Sequence, residues 1–315
     1  MLVTVVIIVY NHEEFLCSTL ESVLSQKTNF DFEILVADDA STDSSAKIIK
    51  QYVKSYPEQI RAIYHPSNIG AQKNIIDSYL KSKGRYIAHL DGDDLMLPNK
   101  LQKQIDFFRS HENCSLVHHK MRVFDSATGN TIRYVSSKYN KSIYSLGDLL
   151  ISGNDICHSA KMVDTTKFNR SDLKPHRNCR ALDYLYNVVC VNTHDIGYID
   201  EVLGEYRIHS QGLTSTHIDQ RWRFYAGHMR AINAARKYGV DEKTINKAKS
   251  ITLSVFARIY LDASRYSTFK KLIEKSIKLN KNQTNNIKFH YYLRNFPRIL
   301  LCIRKLIFYL SNPQE

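Results

Sequence analysis

The chain contains no C-x-x-C pair. Its six cysteines, Cys17, Cys114, Cys157, Cys179, Cys190 and Cys302, are scattered along the sequence. That spacing argues against a zinc ribbon and a disulfide framework, and it fits a reducing cytoplasm. No run approaches the roughly 20 apolar residues of a membrane-spanning helix, which excludes a multi-span membrane protein. Residues 1–11, MLVTVVIIVYN, are apolar but lack a basic leader and a small-residue cleavage site. Their β-branched content predicts a buried strand instead of a signal peptide. Internal repeats and low-complexity segments are absent too. What is present is ordinary for a folded protein: 315 residues, 43% hydrophobic and 24% charged. Disordered and fibrous classes are excluded, and the length suffices for a full core.

Charge is unevenly placed. The formal net charge is +13, but residues 241–315 hold 15 Lys+Arg against 5 Asp+Glu, so most of the basicity belongs to the tail. A basic tail implies an anionic partner, either nucleic acid or a membrane surface.

The first 110 residues alternate strand and helix signals. Strands are expected at 2–10, 32–37, 61–65 and 86–90. Helices are expected after residue 16, where Leu16, Leu20, Val23 and Leu24 share a face, and at 44–56, 72–81 and from Pro98 onward. This rhythm predicts an α/β fold, a mostly parallel central sheet with helices on both faces. Mixed signals follow: strand-like 115–124 and 131–135, helical 146–151, strand-like 157–163, helical 181–191 and strand-like 197–209. From about residue 219 the reading is helical, through 230–238, 241–266 and 270–279. The expected division is a catalytic unit at 1–215 and a helical basic region at 216–315.

Ligands of open α/β sheets bind outside the carboxyl ends of the strands. Here three strands finish in polar groups: Tyr10-Asn11, Asp38-Asp39 and Asp91-Gly92-Asp93-Asp94. Up to five acids around one crevice repel one another unless cations or donors face them. A divalent ion such as Mg²⁺ or Mn²⁺, which takes one or two carboxylates plus substrate phosphates, is the expected answer. Asp-Gly-Asp-Asp alone would read as a solvated turn, but two such motifs at strand ends of one array point to a site.

The ordered motifs VVIIVYNHEEFLCSTLESVLSQ, EILVADDASTD, NIG-AQKN and GRYIAHLDGDDLMLPNKL resemble glycosyltransferase family 2, over roughly residues 1–210. The resemblance implies a GT-A fold and a nucleotide-sugar donor. It implies that Tyr10 and Asp39 contact the uracil of a UDP-sugar, with Asp38 supporting their loop and Lys73 near the nucleotide. Asp91 would face the ribose and the metal's water shell, Asp93 would bind the metal, and Asp94 would line the sugar site. An inverting transfer needs a general base. The family carries it as the Asp of an E-D-like motif, matched here by Arg180-Ala181-Leu182-Asp183, so Asp183 is the expected base, although leucine replaces the usual preceding acid. Gly204-Glu205-Tyr206-Arg207-Ile208-His209 resembles the family's Y-R-x-H segment. It implies a role for His209 in the metal site and for Arg207 beside the diphosphate. His158 lies where the family has an acceptor-side segment.

In the tail, residues 289–310 interleave Tyr, Phe, Leu and Ile with Arg294, Arg298, Arg304 and Lys305. Such a segment would lie in the headgroup layer of an anionic membrane. Together with the resemblance this suggests an enzyme peripheral on the inner face of the cytoplasmic membrane. Its saccharide acceptor would be carried on a polyprenyl diphosphate, as in O-antigen or capsule synthesis. Four rivals compete. A nucleic-acid binder leaves the acidic crevice unexplained, so no nucleic-acid partner is expected. A phosphoacceptor receiver domain needs acids after the first strand. A nucleotidyltransferase needs a glycine-rich basic signature there. A sugar-nucleotide-binding protein without activity is suggested by Leu182 alone.

Overall fold

Residues of the first strand, β1 (Val3–Val9), alternate between two hydrophobic layers. Val3, Val5, Ile7 and Val9 face one layer, and Val6 and Ile8 the other. A strand buried on both faces is what a near-continuous β-branched run encodes. Around it lie β2 (Phe32–Asp38), β3 (Ile60–Tyr64) and β4 (Tyr86–Asp91), linked by helices α1 (Leu16–Leu24), α2 (Ser45–Ser55) and α3 (Ala71–Lys81). The next elements are β5 (Leu95–Met96), α4 (Lys100–Ser110), β6 (Cys114–Asp125), β7 (Thr131–Val135), β8 (Ile143–Tyr144) and α5 (Leu146–Ser152). Then come β9 (Met162–Asp164), α6 (Leu182–Val191) and β10 (Asp195–Ile208). The chain ends in α7 (Arg221–Ala234), α8 (Glu242–Asp262), α9 (Tyr266–Leu279), α10 (Asn285–Tyr292) and α11 (Pro297–Ser311). This computed structural model describes all residues except 139–140, 180–181, 211–220, 281, 283 and 312–315. For 182, 221 and 305–311 it describes the backbone only.

The sheet order is β3-β2-β1-β4-β9-β6-β10-β5, with β7 on β6 and β8 on β10. The expected parallel array holds for β3, β2, β1 and β4 and again between β6 and β10. Between these blocks β9 runs antiparallel to both β4 and β6, so the complete sheet is mixed. The strand expected at 157–163 divides into a 3₁₀ turn, His158–Ala160, and the short β9. The single helix expected at 241–266 breaks after Asp262, where Ser264 takes a positive φ of 58°.

One layer packs α1, α2 and α4 on the sheet through Leu16, Leu20, Ile49, Leu101 and Ile105. The other packs α3, α5 and α6, and it also takes in Ile232 of α7 and Ile245 of α8. The boundary expected near 215 lies outside the described residues. The far half of α8 joins α9 and α11 in a satellite core of Ala257, Leu261, Phe269, Ile273 and Leu300.

Candidate active site

The acidic loop at the end of β4 is fastened from two sides. Immediately after Asp94, β5 pairs antiparallel with β10, Leu95 opposite Glu205 and Met96 opposite Gly204. That register brings the Arg207–His209 segment onto the loop. Arg207 donates its backbone N–H to Asp94 Oδ1 (3.0 Å) and its Nε–H to the Asp93 carbonyl (2.7 Å). Its guanidinium lies between two rings, 4.8 Å from the Phe15 centroid and 4.9 Å from that of Phe124. His209 Nε2 meets Asp93 Oδ2 at 2.9 Å, and His12 Nε2 stands 3.9 Å from the same oxygen. Gly92 permits this closeness: a Cβ there would stand 2.6 Å from His12 Nδ1 and 2.8 Å from the Ile8 carbonyl oxygen.

The acids differ in state because their surroundings differ. Asp94 is fully buried, and burial, reinforced by Asp93 and Asp91, raises its pKa well above the carboxylate range. Its Oδ2 sits 2.5 Å from the donating Ser159 hydroxyl. Ser159 Oγ also accepts the backbone N–H of Asp91 at 3.0 Å. Asp91 is half-buried. Burial opposes its ionisation, but the hydrogen bond and charge of His89, 3.1 Å away, prevail and lower its pKa. Lys100, fully buried, donates to the Ser159 carbonyl at 2.7 Å; burial pulls its pKa down to about 7, against the attraction of Asp94. The loop's acids thus face the guanidinium of Arg207, the buried amine of Lys100 and the imidazoles of His209, His12 and His89.

The trio expected at the metal, Asp91, Asp93 and His209, is divided. Asp93 and His209 face each other, whereas Asp91 turns to His89 on the same strand. Among the described residues no group of three or more His, Cys, Asp and Glu side chains forms a cage. Asp93 with His209 is a mixed oxygen–nitrogen pair, and its histidine Nδ1 is buried without a partner. A pair of this kind fits a hard divalent ion that completes its shell with diphosphate oxygens and water.

The residues expected on the nucleotide side lie at and beyond the ends of β1 and β2. Tyr10 is exposed there. Asp38, buried, accepts from the Ser41 hydroxyl at 2.5 Å. Asp39 is spent largely on the fold: its two oxygens accept the backbone N–H groups of Ile69 (2.7 Å) and Gly70 (2.9 Å), tying β2 to the start of α3. Lys73 lies exposed in the first turn of that helix.

Asp183 sits in the first turn of α6, half-buried, and Asn154 Nδ2 donates to its Oδ2 at 3.0 Å. The preceding Arg180 and Ala181 lie outside the described residues, and of Leu182 only the backbone is described. Four residues before Asp183, Cys179 lines a cleft of about 330 Å³ together with Trp222, Arg223 and Arg230 of α7. His158 packs its ring 3.7 Å from that of His89, with both ring nitrogens buried, so it adjoins the Asp91 end of the site from beneath. Residues that the sequence reading passed over are Ser159, Lys100, His12 and Phe15. His12, Phe15 and Lys100 lie inside the quoted motifs and Ser159 next to His158, but only the contacts of the fold show that they reach the acidic loop.

An α/β sheet with an acidic strand-end loop clipped to an Arg-x-His segment is the GT-A architecture of glycosyltransferases. Staphylococcus aureus TarS (residues 1–349), in its complex with UDP-GlcNAc, superposes with a TM-score of 0.67 at 15% identity, over 96% of this chain and 88% of that one. Residues 4–163 match the profile of Glycosyl transferase family 2, and the chain belongs to that family. EpsE of Bacillus subtilis, named a glycosyltransferase, is 32% identical over 178 residues, 56% of this chain. TuaG of the same organism, named a teichuronic acid biosynthesis glycosyltransferase, is 37% identical over 106 residues, 34% of this chain. The chain spans less than two thirds of the length of the curated relatives it matches, 61% of EpsE and 41% of TuaG.

Proposed function

We propose that the chain is a metal-dependent, inverting glycosyltransferase that moves a sugar from a UDP-sugar to a hydroxyl of a saccharide acceptor in bacterial surface-polysaccharide synthesis. The observation that carries this reading is the contact of Asp93 with His209, braced by Arg207, at the carboxyl end of β4. Asp93 and His209 would hold Mn²⁺ or Mg²⁺, which supplies Lewis-acid stabilisation of the departing diphosphate when bound. Arg207 adds a fixed positive charge beside it. Tyr10 offers a ring face to the uracil, Asp39 and Asp38 hold the loops around the base, and Lys73 lies on the nucleotide side. Asp91 is set toward the ribose. Asp94 lies on the sugar side of the loop, held there by the Ser159 hydroxyl and the Arg207 backbone N–H. Asp183 takes the acceptor's proton. UDP-GlcNAc in the TarS complex and the polysaccharide named for TuaG support the donor and the product class.

The acceptor side is the cleft of Trp222, Arg223 and Arg230. Trp222 is exposed, and an indole with two guanidiniums suits a sugar joined to phosphate, as in a polyprenyl-diphosphate-linked saccharide. The C-terminal helices carry the anionic-membrane proposal. Exposed Tyr292, Phe296 and Ile299 cluster about the α10–α11 turn, and Lys271, Lys275 and Lys278 are exposed on α9. Two cations expected to face lipid are engaged within the chain, Arg294 with Glu274 (3.0 Å) and Arg304 with Asp262 (2.7 Å). The side chain of Lys305 lies outside those described. No helix among the described residues is long and apolar enough to cross a membrane.

The test is UDP release from a panel of UDP-sugars with Mn²⁺, Mg²⁺ or EDTA, using wild type and Asp93→Ala. Turnover of one donor, abolished by EDTA and by the substitution, is the expected result. Binding of a UDP-sugar without turnover would favour the inactive binding protein that Leu182 suggests. No binding and no turnover with UDP-, GDP- or dTDP-sugars would overturn the reading.

A further inference from the structure

Lys161 is fully buried and, among the described residues, has no carboxylate in hydrogen-bond contact. Its ammonium lies 4.4 Å from the Tyr186 ring centroid and donates to Asn187 Oδ1 at 2.8 Å. Asn187, also fully buried, donates from Nδ2 to Asn154 Oδ1 at 2.8 Å. Asn154 in turn donates from Nδ2 to Asp183 Oδ2 at 3.0 Å. Three hydrogen bonds therefore run in one direction, from a buried cation through two amides to a carboxylate.

The local backbone builds this line. Asp183 and Asn187 are four residues apart on α6, so they share a helix face. Asn154 follows the residue that closes α5 and holds a left-handed φ of 65°, a conformation asparagine tolerates, which turns its amide into the gap between them. Lys161 enters from the 3₁₀ turn that precedes β9. A buried ammonium costs several kcal/mol unless neighbours compensate it. Here burial pulls its pKa down to about 8, while the carboxylates of Asp183 and Asp91 pull it up; the buried thiols of Cys190 and Cys157 and the imidazoles of His89 and His158 are its other titratable neighbours. A cation kept at that cost, whose recorded side-chain hydrogen bond goes to Asn187 and leads through Asn154 to Asp183, has a task.

We propose that Lys161, Asn187 and Asn154 are positioning residues that fix Asp183 in one rotamer as the acceptor hydroxyl arrives. Each amide in the line is oriented by its neighbours, so the carboxylate is held from one side without a direct ion pair. The inference rests on Asp183 as the general base. It assigns the orientation of that base to a line of residues outside the four family motifs.

The experiment reads kcat and KM for the donor selected by the UDP-sugar panel, with UDP binding by calorimetry and melting temperature as controls. Asn154→Gly keeps the positive φ and removes the amide; Lys161→Met removes the charge and keeps the volume. Each is expected to lower kcat 10- to 100-fold with KM for the donor and UDP binding unchanged. Asp183→Asn is expected to remove transfer, and Asp183→Asn with Asn154→Gly to be no worse than Asp183→Asn alone, because the two act through one group. If Asp183→Asn is inactive while folded Asn154→Gly and Lys161→Met turn over like wild type, the relay is wrong and the base stands. If Asp183→Asn transfers normally, base and relay fall together. A panel without any turnover removes the reaction the relay serves and overturns it. Should Lys161→Met fail to fold, Asn154→Gly decides alone.

Discussion

His209 Nε2 and Asp93 Oδ2 lie 2.9 Å apart although 116 positions separate them in the chain. Only the pairing of β5 with β10 brings them together, since Leu95 and Met96 follow the acidic loop directly. Removing the imidazole should therefore damage catalysis without loosening the core. His209→Ala is expected to lower kcat for UDP release by about 10²–10³-fold, a loss of roughly 3–4 kcal/mol of transition-state stabilisation. Steady-state kinetics with a melting curve checks this, and a loss of activity matched by a collapse in melting temperature would contradict it.

Gly92 is expected to be irreplaceable. The Cβ of Gly92→Ala would meet the Ile8 carbonyl oxygen at 2.8 Å, and that oxygen belongs to a central strand that cannot retreat. Overpacking of this kind costs about 1–3 kcal/mol. Chemical denaturation should report that loss, together with strongly reduced UDP release as the loop shifts.

Ser159 serves two acids. In Ser159→Ala the Asp91 backbone N–H and the buried Asp94 carboxyl each lose a partner. Leaving such groups unsatisfied costs about 1–3 kcal/mol apiece. A decrease in unfolding free energy, with donor turnover impaired as well, is the expected result. Ser159→Thr, which keeps the hydroxyl, should recover part of both.

Acid should destabilise the fold well before the carboxylates titrate. Burial lowers the pKa of His118 from 6.5 to about 3, its Nε2 lying 2.6 Å from the Tyr144 hydroxyl. Between those values the unfolded chain binds a proton that the folded chain refuses, so the stability is present above about pH 6.5 and drains as pH falls. The loss is about 1 kcal/mol between pH 6.5 and 5.5 for this group, and burial lowers His89, His119 and His158 in the same direction. Melting temperatures across this range should decline, and His118→Gln should flatten the slope.

Membrane attachment is testable without deleting helices. A chain ended at 288 would lose Leu300 from the satellite core, so point changes are cleaner. Replacing Tyr292, Phe296 and Ile299 by serine should reduce co-sedimentation with phosphatidylglycerol vesicles and leave the melting temperature near that of wild type. Equal binding would refute the assignment.

The order of strands and helices over the first 110 residues follows from periodicity alone, because alternation along β1 and the i, i+4, i+7 spacing of Leu16, Leu20 and Val23 are local properties of the chain. The acids at the ends of β2 and β4 were legible for the same reason: a strand's carboxyl end is where its apolar run stops. Beyond residue 114 local signal weakens. Whether β9 runs parallel or antiparallel depends on which strand edges are free once the rest has folded, and three residues carry no pattern that says so. Tertiary structure alone decided the chemistry of each side chain. It raised the pKa of Asp94 while lowering that of Asp91, spent Asp39 on the backbone of Ile69 and Gly70, and ran hydrogen bonds from Lys161 through Asn187 and Asn154 to Asp183. Charge and hydrogen bonding act through space, between groups that the chain keeps dozens of residues apart.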